Sequence, residues 1–482
     1  MRRLFFFLLS TLCCLGAGAH SGKARFHVLI DTDGAADDLR AICMLLGNRE
    51  VEVLSVTTSE GALMPEQAAL KVTALLRHFH HEGIPVGVGH SLGIRPPVWR
   101  KQSEAIHWGD TAQASVSFRT ASDLIVRTIE NEEEKVIFIC LGTLTNLSEA
   151  LTTRPRLKER MDKVIWYNSS AQPLQGANYD ADRESAEKVL AAGINVDIVS
   201  GNENQALVID ESYIKLISGI EQAYAGQIVD THSQGILAPV VASGHMKAWD
   251  DLTVIYLFAP ELFNKFAVGQ TVAACSLADA LALEQAKQTI VRIFTGKPDS
   301  ESQVFYGFPE DPGLYAADVS PIMSSLIARH GRSEWRAGVL TNELHGHLGI
   351  YAVIGVKMGI RAREYFNIGI DDMTVESYAG SHPPVSCMND GLQTSTGATL
   401  GHGLIHDVTA DREVCPEASF MFKNKTIRLK LKQAYAQQIR QDVMEGIRLH
   451  GDLSEAYWLY IRSLALKYWQ EFDRHEIFDF AD

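Results

Sequence analysis

From Phe26 onward the chain alternates short, almost unbroken apolar runs with longer stretches of helical periodicity. Residues 26–30, 51–57, 136–141, 164–167 and 196–200 read as strands, and residues 37–46, 65–78, 122–130 and 183–192 as amphipathic helices between them. A strand that is apolar on both faces must be covered on both. An α/β fold follows, with an open, mainly parallel sheet flanked by helices. Ligands of such sheets bind at the carboxyl ends of the strands. Between about 295 and 320 Gly, Pro, Asp and Tyr accumulate, which marks a connection. Beyond it the pattern restarts with a helix near 350–361, Gly-rich turns near 391–403, an alternating strand at 426–431 and two long terminal helices. This is a smaller α+β domain. The organisation expected is a domain over residues 25–325 and a second over 330–482.

The first residues belong to neither domain. Met1-Arg2-Arg3 precedes an apolar run from Leu4 to Leu15, and Ala17-Gly18-Ala19 supplies small residues at a cleavage site, so residues 1–19 read as a signal peptide. The run is about a dozen residues, short of the ~20 that span a bilayer. A periplasmic or secreted location is the expectation. Loss of Cys13 and Cys14 with the signal leaves Cys43, Cys140, Cys275, Cys387 and Cys415. An odd set without a Cys-x-x-Cys pair supports neither a disulfide framework nor a zinc ribbon. The formal charge is −15 and no Lys/Arg tract offsets it, which argues against a nucleic-acid polymer as partner.

Within residues 31–38, Asp31, Asp33, Asp37 and Asp38 stand at the exit of the first strand and the first turn of the next helix. The helix dipole accounts for Asp37 and Asp38, and capping for Asp33. Four carboxylates in eight residues exceed what capping requires. Carboxylates this close raise one another's pKa unless a cation sits among them, and an all-oxygen set suits Ca²⁺.

Asp31-Thr32-Asp33-Gly34-Ala35-Ala36-Asp37-Asp38 resembles the Asp-x-Asp-Pro-Gly-x-Asp-Asp signature of the inosine/uridine nucleoside hydrolases. Gly142-Thr143-Leu144-Thr145-Asn146 resembles their Gly-Pro-Leu-Thr-Asn loop, and Ala248-Trp249-Asp250-Asp251-Leu252 their late His-Asp segment. The resemblance implies that Asp33, Asp38, Asp250 and the carbonyl of Thr145 bind Ca²⁺, and that Asp37 takes the proton of the attacking water. It also implies substrate contacts from Asn178 and Trp249, and a leaving-group contact from His107, which otherwise reads as an exposed loop histidine. The departures are as informative. The ribose-holding Asn is Ala62, the carboxylate two residues before Asn178 is Gly176, and the proton-donating His is Trp249.

In the second domain, His345-Gly346-His347-Leu348-Gly349 is followed by Cys387 and by Thr396-Gly397-Ala398-Thr399-Leu400-Gly401-His402-Gly403. Two imidazoles and one thiolate make a three-ligand zinc set. The pattern resembles the E-subunit family of formylmethanofuran dehydrogenase. Two of that family's cysteine positions are Gly349 and Ala398 here.

The expected function is an exported, Ca²⁺-dependent hydrolase of N-glycosidic bonds in nucleosides or related ribosyl compounds. It carries a further domain in which His345, His347 and Cys387 are candidates for Zn²⁺. Its partner is a small-molecule nucleoside or ribosyl substrate, and a homo-oligomer is compatible with the reading. Two alternatives stand beside it: a non-catalytic sugar- or nucleoside-binding protein that keeps the metal site, and an enzyme whose chemistry lies in the second domain.

Overall fold

The computed structural model describes residues 24–110, 117–201, 206–296, 304–305, 307–370, 372–409 and 413–481. The signal peptide expected at 1–19 lies outside the described residues. The chain divides into two compact units, Ala24–Pro298 with Glu364–Ile368, and Asp299–Arg363 with Gly369–Asp482.

The first unit is built on nine strands of one sheet. In chain order the strands are β1 (Phe26–Thr32), β2 (Val51–Thr58), β3 (Val86–Val88), β4 (Arg119–Thr120), β5 (Val136–Cys140), β6 (Met161–Tyr167), a separate hairpin β7 (Ser170–Ala171) and β8 (Leu174–Gln175), then β9 (Val196–Val199), β10 (Phe263–Ala267) and β11 (Val272–Leu277). Their order across the sheet is β10-β11-β9-β6-β5-β1-β2-β3-β4. Every pair is parallel except β10 with β11, an antiparallel edge. The expected α/β architecture with a mainly parallel sheet is therefore the observed one.

Alternation along β1 explains the two layers of core. Val28 and Ile30 pack into one apolar cluster and Leu29 into the other. On β5, Ile137 and Ile139 join the first cluster, and Val136, Phe138 and Cys140 the second. Each face is closed by helices, Ala36–Leu46 among them on one side and Thr145–Thr153 on the other. The connections matter for function. The chain adds β2, β3 and β4 on one side of β1, then returns to lay β5 on its other side. The crevice outside the carboxyl ends of β1 and β5 is thus the switch point where open sheets bind ligands.

The second unit carries a five-stranded sheet, with β12 (Thr374–Ser377), β13 (Ile405–Asp407), β14 (Glu417–Phe422), β15 (Lys425–Leu431) and β16 (Phe478–Ala481) in the order β13-β12-β14-β15-β16. Long helices Met323–His345, Ile350–Phe366, Gln433–His450 and Glu455–Glu471 accompany it. The alternation read at 426–431 is β15, and the α+β class is as expected. One local expectation is corrected. Gly391 does not open a turn, because it lies inside the helix Met388–Thr396, which ends at Gly397 with a left-handed φ of 77°. Gly391 and Gly355 are small for packing: a Cβ on either would strike the backbone of the opposing helix. Close approach of two helices, not chain reversal, explains that glycine.

Candidate functional site

The end of β1 delivers Asp31 and Asp33 to the crevice, and the Ala36–Leu46 helix begins three residues later with Asp37 and Asp38 in its first turn. Asp38 is 1% exposed. Its Oδ2 accepts from the Thr32 hydroxyl at 2.5 Å and from the Asp33 and Gly34 amides at 2.9 and 3.2 Å, so this carboxylate ties the strand end to the helix. Asp33 accepts from the amide of Ala35 at 3.3 Å. Gly61 lies against its carboxylate so tightly that any Cβ there would displace it. Asp31 is fully buried, bonded by Thr57 at 2.6 Å and by Asn146 at 2.7 Å.

Asp250 reaches the same place from the far end of the unit's sequence, at the start of the helix Asp251–Phe258. The ligand oxygens of Asp37, Asp38 and Asp250 all lie within 4.8 Å of one another. Asp37 is the partly exposed member of the three; Asp38 and Asp250 are buried. Burial raises all of these carboxyls, Asp31 to about 6 and Asp33 to about 7. Asp38 is pushed well above the carboxylate range by burial and then by Asp33 and Asp37, and Asp250 by burial and then by Asp38, Asp37 and Asp33. Asp37 is raised by burial and pulled back by the guanidinium of Arg40.

Arg40 is fully buried one helical turn beyond Asp37. It forms a bidentate pair with Asp251, the residue after Asp250, at 3.0 and 2.8 Å. Its third edge meets Nε2 of His232 at 3.0 Å, and Nδ1 of His232 lies 2.8 Å from the Ile228 carbonyl. The assignment consistent with both contacts is a neutral imidazole that donates from Nδ1 and accepts from Arg40.

The other expected residues fall around this cluster unequally. Thr145 is buried at the start of its helix, its hydroxyl donating to Asp182 at 2.6 Å, and the neighbouring Asn146 supplies the bond to Asp31. Asn178 uses its amide to hold the carbonyls of Leu141 and Tyr167 at 2.8 and 3.1 Å, which leaves its Oδ1 for other partners. Trp249 stacks on Tyr167, with ring centroids 6.4 Å apart. His107 is exposed, and it bonds through its carbonyl, which accepts from Thr231. Tyr167 escaped the sequence reading. It ends β6 at the ligand edge, is 9% exposed, and its phenol is raised by burial and then by Asp250 and Asp37. A tyrosine closing an otherwise apolar strand was the available signal.

A second three-ligand group within 4.8 Å exists among the described residues, His27 with Glu52 and Glu132. It sits at the opposite, amino end of β1 and β2.

In the second unit, the rings of His345 and His347 lie with centroids 4.3 Å apart, tilted by 41°. Nδ1 of His345 lies 2.7 Å from Asp390, and its Nε2 is buried without a partner. Cys387 is half-buried, three residues before Asp390, and its thiol is raised by burial and by that carboxylate. Cys387 and Cys415 are both free thiols. The set His345, His347 and Cys387 does not meet the 4.8 Å spacing that the aspartates meet.

Comparison with known proteins follows the same division. The profile of the inosine-uridine preferring nucleoside hydrolases matches residues 28–302. That of FmdE, from the molybdenum formylmethanofuran dehydrogenase operon, matches residues 344–478. An inosine-uridine preferring nucleoside hydrolase of Leishmania major is 31% identical over 189 residues, 36% of this chain, and the match spans 59% of that protein's length. The pyrimidine-specific ribonucleoside hydrolase RihA of Escherichia coli O1:K1 is 26% identical over 49% of this chain and 81% of its own. Among solved structures, the plant nucleoside hydrolase PpNRh1 aligns with a TM-score of 0.47 at 17% identity, over 56% of this chain and 99% of that one.

Proposed function

This chain belongs to the inosine-uridine preferring nucleoside hydrolase family, and from that premise we propose that it is an exported, cation-dependent N-glycosidase acting on nucleosides or related ribosyl compounds. The observation that carries the reading is the meeting of Asp37, Asp38 and Asp250 within 4.8 Å at the switch point of the sheet. Three carboxylates at that distance cannot all ionise without positive charge between them. Oxygens Oδ1 of Asp38 and Oδ1 of Asp250 are buried with no hydrogen-bond partner, so the donor set fits a hard cation such as Ca²⁺. Asp33, Asp38, Asp250 and the Thr145 carbonyl are the groups to hold it. When bound, the ion supplies fixed positive charge that screens the carboxylates and orients sugar hydroxyls.

The remaining chemistry belongs to the chain. Asp37, the partly exposed member of the three, accepts a proton from water as the water oxygen bonds to the anomeric carbon and the C–N bond breaks. The electron pair of that bond leaves with the base. Trp249 cannot protonate the departing nitrogen as a histidine would, so leaving groups that depart without strong protonation are favoured. Its ring, backed by Tyr167, offers a stacking face to a planar base.

A non-catalytic reading is favoured by one set of observations, the replacement of sugar and base contacts by Ala62, Gly176 and Trp249. Release of ribose from a panel of nucleosides and from nitrophenyl riboside, with and without chelator, separates the two. Release that stops on chelation supports the hydrolase. Binding without release under all conditions supports the alternative. For the second domain we propose a Zn²⁺ site at His345, His347 and Cys387, supported by the unpartnered Nε2 of His345 and by the unpaired thiol.

A further inference from the structure

The carboxylate cluster is shared between two helices far apart in sequence. Asp37 and Asp38 ride on Ala36–Leu46, and Asp250 immediately precedes Asp251–Phe258. A cation site assembled in this way is as good as the spacing between the helices. Apolar packing carries no directional bond, whereas a bidentate guanidinium–carboxylate pair fixes both distance and angle.

Such a pair stands directly behind the cluster. Arg40 and Asp251 are both fully buried, and they pair across these two helices at 3.0 and 2.8 Å. The guanidinium is also bonded by His232 at 3.0 Å, and by the Lys247 carbonyl at 3.5 Å, the outer limit of a hydrogen bond. Its neighbour Asp251 begins the helix whose preceding residue is Asp250. Burying two full charges is expensive, and apolar replacement of such pairs is often neutral or stabilising for a fold. Stability alone therefore gives little reason for a charged pair beside the apolar cluster to which Leu39, Cys43, Val254 and Ile255 belong.

We propose that the Arg40–Asp251 pair, with His232 completing its shell, is a positioning device that holds the Ala36–Leu46 and Asp251–Phe258 helices at the separation the cation requires, and so sets the affinity of a site that takes Asp38 from the one helix and Asp250 from beside the other. The inference rests on the cation reading given above. Arg40 and Asp251 touch neither ion nor substrate; they act through the residues beside them.

The test uses the full chain and terbium(III), which occupies calcium sites and whose luminescence is sensitised by nearby Trp249 and Tyr167. Thermal unfolding in chelator is measured alongside. In the double variant Arg40→Met with Asp251→Leu, unfolding in chelator stays close to that of the unmodified protein, and terbium affinity falls about 10–100-fold, the range seen when groups behind metal ligands are removed. Arg40→Lys keeps the charge but not the fork, and weakens affinity less. A double variant that folds and binds terbium as tightly as the unmodified protein overturns the proposal. Should that variant not fold, Arg40→Lys carries the test alone, and unchanged affinity there overturns it equally. Failure of the unmodified protein to bind terbium is a different result, which removes the cation reading and the inference with it.

Discussion

Two clusters of ligand-type residues, one in each unit, were expected from scattered motifs, and they come together to different degrees. In the first unit, Asp37 and Asp250 are more than two hundred positions apart in sequence yet lie within 4.8 Å of each other and of Asp38. In the second, His345 and His347 are near neighbours in the chain with ring centroids 4.3 Å apart, but Cys387 does not complete a set of equal tightness. The difference follows from what holds the residues. Parallel strands whose order of addition reverses between β1 and β5 bring their carboxyl ends, and the helices that follow, toward one crevice. His345 ends a helix, His347 follows the left-handed Gly346, and Cys387 precedes the Met388–Thr396 helix, so no shared sheet edge sets their separation. Asp390 instead takes hold of His345 directly.

The comparison is broken most sharply at Asp37. Asp37→Asn is expected to lower turnover about 10²–10⁴-fold, the usual contribution of a general base, while calcium still binds. An unchanged rate of ribose release would remove the base assignment. Next in size is the leaving group. Trp249→His is expected to raise the rate on inosine relative to nitrophenyl riboside, up to about 10²-fold if the imidazole finds the base nitrogen. An unaltered ratio of the two rates would mean that Trp249 does not face the leaving group.

A third experiment reads the buried network through pH. Burial lowers His232 to about 3, below its ordinary 6.5. The unfolded chain therefore takes up this proton first as pH falls, and the stability present above about 6.5 is lost progressively toward 3. In chelator, His232→Gln should lack this loss, and by pH 5 the unmodified protein should be destabilised relative to it by about 2 kcal/mol more than at pH 8. Parallel stability profiles would show that His232 is not held neutral. The smallest effect is expected in the second unit, where Asp390→Asn removes the carboxylate that orients His345. Zinc affinity should fall about 10-fold, measured by competition with a chromophoric chelator. Equal affinity would mean that His345 is not a ligand.

Much of this was legible in the sequence, for physical reasons. β1, β2, β5, β6 and β9 are nearly continuous apolar runs because both of their faces are covered, and such runs stand out. The acidic cluster was visible because Asp31, Asp33, Asp37 and Asp38 are crowded into one strand exit. Arg40 and Asp251 were not, because two isolated charges separated by 211 positions carry no local sign of pairing. Tyr167 read as the last apolar residue of a strand. Gly391 read as a turn because sequence shows that a residue is small, not whether chain reversal or a neighbouring helix requires it to be.

The central claim, that the aspartate cluster holds the cation on which hydrolysis depends, is tested most directly by returning calcium to chelated protein and following ribose release, with Asp250→Asn measured beside the unmodified chain. The account predicts that activity vanishes in chelator and returns along a saturating curve, and that Asp250→Asn needs far more calcium to recover. Full activity in chelator, or identical calcium curves for the two proteins, would contradict it.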